Sequence, residues 1–112
     1  MDCIFCKIIE GKIPAEKVFE DKNMIIIKDI NPVSKYHYLL IPKIHYSHLE
    51  EASKKAQKQL AESIFKIAEL KNVLHLENGY RLVINQGEDA GQAVEHLHIH
   101  ILAGQKMGWN PA

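Results

Sequence analysis

Three histidines alternate with aliphatic residues near the C-terminal end of the chain, in the run His96-Leu97-His98-Ile99-His100. Because side chains of a β-strand point alternately to its two faces, the three imidazoles are predicted to share one face. Same-face neighbours lie about 6.6 Å apart, so the outer imidazoles are about 13 Å apart and one metal ion cannot readily bind all three. The pattern therefore favours a histidine that acts as a nucleophile, acid or base. A solvated histidine stripe and a metal site built on one His-x-His pair remain as alternatives.

Two cysteines near the N-terminus, Cys3 and Cys6, are the other candidates for chemistry. Their Cys-x-x-Cys spacing on a short helix would place both sulfurs on one side, which is typical of half of a structural zinc site. A redox pair of the thioredoxin type would need a following βαβ pattern, which the sequence lacks. Two buried thiols without a metal remain as an alternative, so the spacing alone does not decide.

Composition limits the kind of partner that these residues serve. The 112 residues carry 14 basic and 14 acidic side chains, and the basic set consists of thirteen scattered lysines and Arg81. Long nucleic acids are therefore poor candidates, because they need a concentrated basic surface, and a small substrate fits better. No apolar run approaches the roughly 20 residues that span a bilayer, and the N-terminus lacks a secretory leader pattern. We therefore expect a cytoplasmic protein with no membrane partner.

The elements that must position these side chains can be predicted from hydrophobic periodicity and turn residues. Residues 3–10 and 53–74 are predicted to be a short and a long helix. Strands are predicted at 18–20, 24–29, 36–41, 80–85 and 97–102. Short connections favour antiparallel pairing, so the class is α+β, with about five strands and a helix covering one face of the sheet. We expect residues 1–112 to form a single domain, with 103–112 as a C-terminal tail.

The run His96 to Leu102 resembles the His-x-His-x-His-x-x signature of the histidine-triad (HIT) superfamily, in which x is hydrophobic. The resemblance covers nearly the whole chain. It includes Ile13-Pro14-Ala15, Asp29-Ile30-Asn31-Pro32, the stretch 37–43 and Gly91-Gln92. The tail 104–111 is similar to the Hint branch, and Cys-x-x-Cys to a zinc-carrying bacterial subset. The resemblance implies the HIT fold and a homodimer whose sheet continues across both subunits, with Trp109 of the tail near the partner.

The resemblance also implies a nucleotide hydrolase of the purine nucleoside phosphoramidase type, acting at an α-phosphorus. His98 would be the nucleophile of a covalent nucleotidyl-histidine intermediate, with His100 and His37 as further catalytic histidines. Such a nucleophile needs a neutral imidazole with Nε2 unprotonated, and therefore an acceptor for Nδ1–H. A dinucleoside polyphosphate hydrolase and a non-catalytic, zinc-containing nucleotide-binding protein remain as alternatives.

The ligands implied by the resemblance are a purine nucleoside monophosphate, or its phosphoramidate or phosphoanhydride derivative, and a structural zinc ion. Beside His98 and His100, the implied nucleotide contacts are Ile4, Phe5, Ile27 and Ile30 as apolar walls for the base, Asp29 for the ribose hydroxyls, and Asn85, Gly91, Gln92 and Ala93 for phosphate. Hint proteins usually carry a serine where this chain has Ala93. The implied zinc ligands are Cys3, Cys6, His45 and His96, with His48 a weaker rival to His45. His37 as an ordinary strand residue, Asp29 as a turn residue and the apolar walls as plain core remain open alternatives.

Overall fold

A five-stranded antiparallel sheet with two α-helices forms the structure, a computed structural model that describes residues 3–108. The helices are α1 (Ile4–Ile9) and α2 (Lys54–Glu69), and single-turn 3-10 helices lie at Leu49–Glu51 and Glu88–Ala90. The strands are β1 (Lys17–Glu20), β2 (Met24–Lys28), β3 (Tyr36–Pro42), β4 (Tyr80–Val83) and β5 (Ile99–Ala103). Their order across the sheet is β1-β2-β3-β5-β4. The predicted α+β class with five antiparallel strands, one long helix and one short helix is confirmed.

Both faces of the central strands are buried, because α1 covers one face and α2 the other. On the α1 face, Ile25, Ile27 and Leu39 pack with Phe5 and Ile8. On the α2 face, the side chains that alternate with them pack in a second cluster with residues of the helix, namely Met24, Ile26, Tyr38, Leu40, Leu60 and Ile67. Burial on both faces explains why β2 and β3 have continuous apolar runs rather than an alternating pattern.

Helix α2 is shorter than predicted. Its N-terminus begins after Ser53, whose side chain accepts a hydrogen bond from the Ala56 N–H. The helix ends at Glu69, and the following residues form turns in which His75 has a positive φ of 61°. Leu74, which extended the apolar period, is buried at 1% exposure but packs into the core from these turns. The prediction to residue 74 was therefore wrong because a buried turn residue continued the helical spacing by coincidence.

The triad strand also has different ends from those predicted. Strand β5 begins at Ile99, so His96 lies in a bend before it, His98 immediately precedes it, and only His100 of the triad is in the sheet. Ala103 is the last residue of β5 and pairs with Tyr36, so a tail can begin only after it. Trp109 lies outside the described residues. Within residues 3–108, no helix is both long and apolar enough to cross a membrane.

Candidate active site and metal centre

His98 lies on the α1 face of the sheet, immediately before β5, with its side chain buried at 7% exposure. Its Nδ1 is 2.8 Å from the carbonyl oxygen of His96. Because a carbonyl oxygen can only accept, Nδ1 must carry the proton and donate it. In a neutral ring the other nitrogen, Nε2, then has a free lone pair. The tautomer that the proposed nucleophile requires is therefore the one that the backbone favours.

Helix α1 holds Phe5 against His96 and His98, the two histidines that precede β5. The ring centroid of Phe5 lies 5.1 Å from that of His98 and 5.9 Å from that of His96, both in edge-on geometry. Phe5 is itself buried at 6% exposure. Edge-on packing of this kind restricts both imidazoles to a narrow range of orientations.

A chain of hydrogen bonds connects β3 to His100. The Val33 N–H donates to His37 Nδ1 at 3.1 Å, and His37 Nε2 lies 2.9 Å from His100 Nδ1 and 3.4 Å from Asp29 Oδ2. Burial lowers the pKa of His37, opposed by the nearby Asp29 carboxylate. Burial, with His98 and His37 close by, also lowers the pKa of His100 to about 4. Both rings are therefore neutral at pH 7.

The four residues implied as walls for a base divide into two kinds. Phe5 and Ile27 are buried, at 6% and 5% exposure. Ile4 and Ile30 are instead exposed, at 47% and 90%. Of the four, Ile4 and Ile30 are therefore the side chains with surface available for contact with a ligand.

Asp29 lies at the start of the turn after β2, and its two carboxylate oxygens have different neighbours. Oδ1 accepts a hydrogen bond from the Asn31 N–H at 2.8 Å, and Oδ2 faces His37. Asp29 is therefore a turn residue and a neighbour of the histidine cluster at once, so the two readings of this residue do not exclude each other.

The loop before the triad is braced by Gln92. Its Oε1 accepts from the Gly87 N–H at 2.8 Å, and its Nε2 donates to the carbonyls of Ser47 and Val94. The N–H groups of Gly91 and Gln92 are also used within the loop, since they donate to the carbonyls of Glu88 and Gly87. Within residues 3–108 the N–H of the exposed Ala93 has no such acceptor. Among Gly91, Gln92 and Ala93, it is therefore Ala93 whose backbone N–H is available to donate to a ligand. Asn85, which precedes this loop in the sequence, has a half-buried side chain.

The second cluster of functional side chains is formed by Cys3, Cys6, His45 and His96, whose ligand atoms all lie within 4.8 Å of one another. His96 is fully buried, and its Nε2 lies 2.8 Å from the carbonyl oxygen of Pro42. Nε2 must therefore be the donor, and the lone pair of Nδ1 points toward the cluster. Burial lowers the pKa of His96, so its ring stays neutral.

The donor atoms of this cluster lie close to the spacing of a tetrahedral zinc site, with the two histidine nitrogens slightly nearer to each other than bound ligands would be. Nδ1 of His96 lies 3.3 Å from Cys3 Sγ, 3.6 Å from Cys6 Sγ and 3.0 Å from His45 Nδ1. Neighbouring ligands on a tetrahedral zinc ion are about 3.3 to 3.8 Å apart, given its bond lengths to nitrogen and sulfur. Burial and the nearby Cys3 raise the pKa of Cys6 to about 11, so a thiolate here needs a cation beside it.

His48 does not take part in this cluster. Its ring nitrogens face Glu51 at 3.8 Å and Glu95 at 3.9 Å, outside the group formed with Cys3 and Cys6. Of the two histidines weighed from the sequence, it is His45 that lies beside the cysteines.

Two backbone groups that shape the site were not predicted from the sequence: the carbonyl oxygen of Pro42 beside His96 and the N–H of Val33 beside His37. An acceptor for the Nδ1–H of His98 was predicted, and the structure identifies it as the carbonyl oxygen of His96. Backbone groups have no side-chain signal in a sequence, so the sequence does not tell which of them face a histidine ring. The bracing role of the Gln92 side chain was also missed, although its position before the triad had been noted.

Known proteins resemble this chain over most of its length. The HIT domain family model matches residues 10–107. Protein HitA of Neisseria gonorrhoeae is 45% identical over 101 residues, which are 90% of this chain and 94% of that protein.

Solved structures give the same result. A HIT family hydrolase from Legionella pneumophila superposes with a TM-score of 0.91 at 41% identity, covering 99% of this chain and 100% of that one. A zinc-bound histidine triad family protein from Mycobacterium smegmatis has a TM-score of 0.81 at 33% identity, covering 100% and 84%. A histidine triad nucleotide-binding protein from Candida albicans has a TM-score of 0.82 at 32% identity, covering 99% and 85%. On the family-model match and these similarities, the chain belongs to the HIT domain family.

Proposed function

We propose that this protein is a nucleotide hydrolase of the phosphoramidase type, in which His98 attacks the α-phosphorus of a purine nucleoside phosphoramidate. The observation that carries the proposal is the 2.8 Å contact between His98 Nδ1 and the His96 carbonyl oxygen, which leaves Nε2 unprotonated. The Legionella relative, a HIT family hydrolase, supports the reaction class.

The reaction then has two displacements. In the first, a bond forms between His98 Nε2 and phosphorus while the phosphorus–amine bond breaks, and the amine leaves with the electron pair and takes a proton from solvent. In the second, water attacks the same phosphorus and gives one proton to solvent, the bond to Nε2 breaks, and the imidazole regains its lone pair as the nucleoside monophosphate is released. The ring is cationic in between, and the His96 carbonyl stabilises its Nδ1–H.

His100 serves in this scheme as a hydrogen-bond donor to phosphate oxygen. Its Nδ1 accepts from His37 Nε2–H, so the proton of the neutral ring is on Nε2. Because its pKa is lowered to about 4, His100 is rarely cationic at pH 7 and is a poor source of a proton for the leaving amine. His37 is a positioning residue, since it acts on the reacting atoms through His100.

The nucleotide is proposed to lie over the α1 face of the sheet. The exposed side chains of Ile4 and Ile30 would contact the base above the buried Phe5 and Ile27, and Asp29 Oδ2 would accept from ribose hydroxyls. The phosphate contacts would come from Ala93 N–H and Asn85, with Gly91 and Gln92 shaping the loop. The Candida albicans relative, a histidine triad nucleotide-binding protein, supports this class of ligand.

A structural zinc ion is proposed at Cys3, Cys6, His45 and His96. The four donors fill a tetrahedral shell without an open position, so the metal would hold the fold together and take no part in the reaction. Support comes from the donor spacing, from the Nδ1 lone pair of His96 and from the zinc-bound relative of Mycobacterium smegmatis.

A homodimer is proposed to form through β4. This strand is an edge of the sheet, and its Tyr80 and Leu82 expose 39% and 38% of their surface. An edge strand with exposed apolar side chains favours pairing with another chain, which would continue the sheet across two subunits. The opposite edge, β1, has Lys17 and Glu20 at its ends, joined by an ion pair that blunts such pairing.

The test is hydrolysis of an adenosine 5′-phosphoramidate by the wild type and by His98→Ala, with mass spectrometry of the quenched protein to trap the nucleotidylated histidine. We expect a loss of at least about a thousandfold and no trapped adduct in the variant, because the nucleophile is absent. The matched control is His75→Asn, which removes an exposed histidine where asparagine tolerates the positive φ. Equal rates in wild type and His98→Ala would refute the nucleophile.

The same assay separates the two other functions. A wild-type protein that binds AMP but hydrolyses nothing would be a nucleotide-binding protein, a reading favoured by Ala93 in place of the usual serine hydroxyl. Faster cleavage of a dinucleoside polyphosphate than of the phosphoramidate would instead indicate a phosphoanhydride substrate.

A further inference from the structure

Within residues 3–108 there are two clusters of metal-ligating side chains. The backbone group beside the histidine is an acceptor in one cluster and a donor in the other. Besides the cysteine cluster, Asp29, His37 and His100 place one carboxylate and two imidazoles within 4.8 Å of one another. By side-chain type alone, both clusters could bind a divalent transition metal.

We propose that the backbone N–H of Val33 selects the tautomer of His37, and thereby sets the donor on His100 and keeps transition metals out of the Asp29–His37–His100 cluster. This inference rests on the proposed function for its catalytic part. Its structural part concerns protons and metal ions, which can be observed without any substrate.

The tautomer of His37 follows from the fact that the backbone N–H of Val33 can donate a hydrogen bond but cannot accept one. Val33 N–H approaches His37 Nδ1 at 3.1 Å, so that nitrogen must present a lone pair, and the single proton of the neutral ring lies on Nε2. Nε2–H then donates to His100 Nδ1 at 2.9 Å. His100 in turn keeps its proton on Nε2. One backbone amide thus determines the protonated nitrogen of two rings in series.

The same amide opposes a metal ion. Metal at His37 Nε2 would require that nitrogen to lose its proton, and a neutral ring would then carry the proton on Nδ1. Two N–H groups would point at each other across 3.1 Å, a repulsive contact in a residue only 6% exposed. Behind His96 the arrangement is reversed, because the Pro42 carbonyl accepts from Nε2 and frees Nδ1. An acceptor behind the ring is the usual feature of metal-binding histidines.

The turn between β2 and β3 is built to hold this amide in place. Asp29 Oδ1 accepts from the Asn31 N–H, and the Asp29 N–H donates to the His37 carbonyl at 3.0 Å. The Ser34 hydroxyl donates to the Tyr36 carbonyl at 2.7 Å. The chain on both sides of Val33 is therefore fixed, while the Val33 side chain itself is 61% exposed and contributes little.

The direct test is long-range ¹H–¹⁵N NMR of the imidazoles in the zinc-loaded wild-type protein at pH 7. We expect His37 and His100 to be neutral with protonated Nε2. A His37 ring that carries its proton on Nδ1, or is cationic, would overturn the inference. This measurement needs no variant and no substrate.

The second test adds Co²⁺ in excess to the zinc-loaded wild-type protein and follows the ion count and the His37 signals. We expect no ion at the Asp29–His37–His100 cluster, so the His37 signals should persist. About one additional ion per chain, with loss of the His37 signals, would refute the metal-exclusion step.

Failure of this inference is distinguishable from failure of the proposed function. A wild-type protein with the expected tautomers but no hydrolysis would refute the function and leave the proton arrangement intact. Hydrolysis that depends on His98, together with a His37 ring protonated on Nδ1, would refute the proton arrangement and leave the proposed function intact.

Discussion

Removal of the zinc ion proposed at Cys3, Cys6, His45 and His96 is expected to lower the free energy of unfolding by about 4 kcal/mol. A ligand present at about a thousand times its dissociation constant stabilises the folded state by about 4.1 kcal/mol. A chain of 112 residues has an unfolding entropy of about 2.1 cal/mol/K per residue, so this change corresponds to a fall in Tm of roughly 15 °C. The effect should be large because α1, with six residues, is far too short to be stable without tertiary anchors.

The assay is thermal unfolding by circular dichroism, with metal content measured on the same samples. Wild-type protein is compared with and without a zinc chelator, and with the Cys3→Ser, Cys6→Ser double variant. We expect the chelated wild type and the double variant to share the lower Tm, and the chelator to have no further effect on the variant. His48→Gln is the matched control, because the His48 ring faces Glu51 and Glu95 rather than the cysteines. The Tm of this variant should still fall when zinc is chelated. An unchanged Tm after complete metal loss, or one zinc ion per chain in the double variant, would refute this reasoning.

Three further predictions concern the phosphate loop, the buried histidines and the sheet edge. Ala93→Ser should raise kcat/KM on the phosphoramidate about fivefold, because a hydrogen bond from the added hydroxyl to phosphate is worth about 1 kcal/mol. The control Ala90→Ser should not change kcat/KM, and equal effects of the two substitutions would contradict a contact between residue 93 and phosphate. The pKa of His100 is lower in the folded protein than in the unfolded chain, so between about pH 6.5 and 4 the unfolded chain binds more protons than the folded protein. The free energy of unfolding should therefore fall as the pH drops through this range, by at most about 3 kcal/mol from this residue. Urea unfolding across this range should give a shallower fall for His100→Gln than for wild type, and parallel curves would show that His100 is not the cause. Leu82→Lys should convert a dimer to a monomer in light scattering, because a charge on the β4 edge opposes pairing, and a dimer that persists would place the interface elsewhere.

Sequence reasoning predicted the fold well where side-chain periodicity carries the information. The helices and all five strands were located, because each leaves a pattern of apolar residues or turn residues. The errors were at the ends of elements. Leu74 packs into the core from a turn, and His96 and His98 precede the strand to which alternation had assigned them.

The candidate site was predictable in its side chains and in the tautomer of His98, and not in the proton arrangement of His37 and His96. The residue types of Cys3, Cys6, His45 and His96 agree with the cluster that the structure brings together. Which nitrogen of each ring carries a proton depends on a carbonyl or an amide that faces it, as at His96 and His37. Those groups are the same in every residue, so their positions follow only from strand register and turn geometry.

The proposed metal centre lies on the less extensively packed of the two faces of the sheet. On the α2 face a sixteen-residue helix contributes a full apolar stripe, whereas on the α1 face the helix has six residues and contributes two fully covered hydrophobic side chains, Phe5 and Ile8. Burying two such side chains yields roughly 3 to 6 kcal/mol, which is comparable to the entropy lost on ordering only a few residues. Phe5, on this same helix, contacts the rings of His96 and His98. A metal that fixes Cys3 and Cys6 would therefore stabilise the weaker face and, through Phe5 and the His96 carbonyl, the orientation of the nucleophile without touching the substrate.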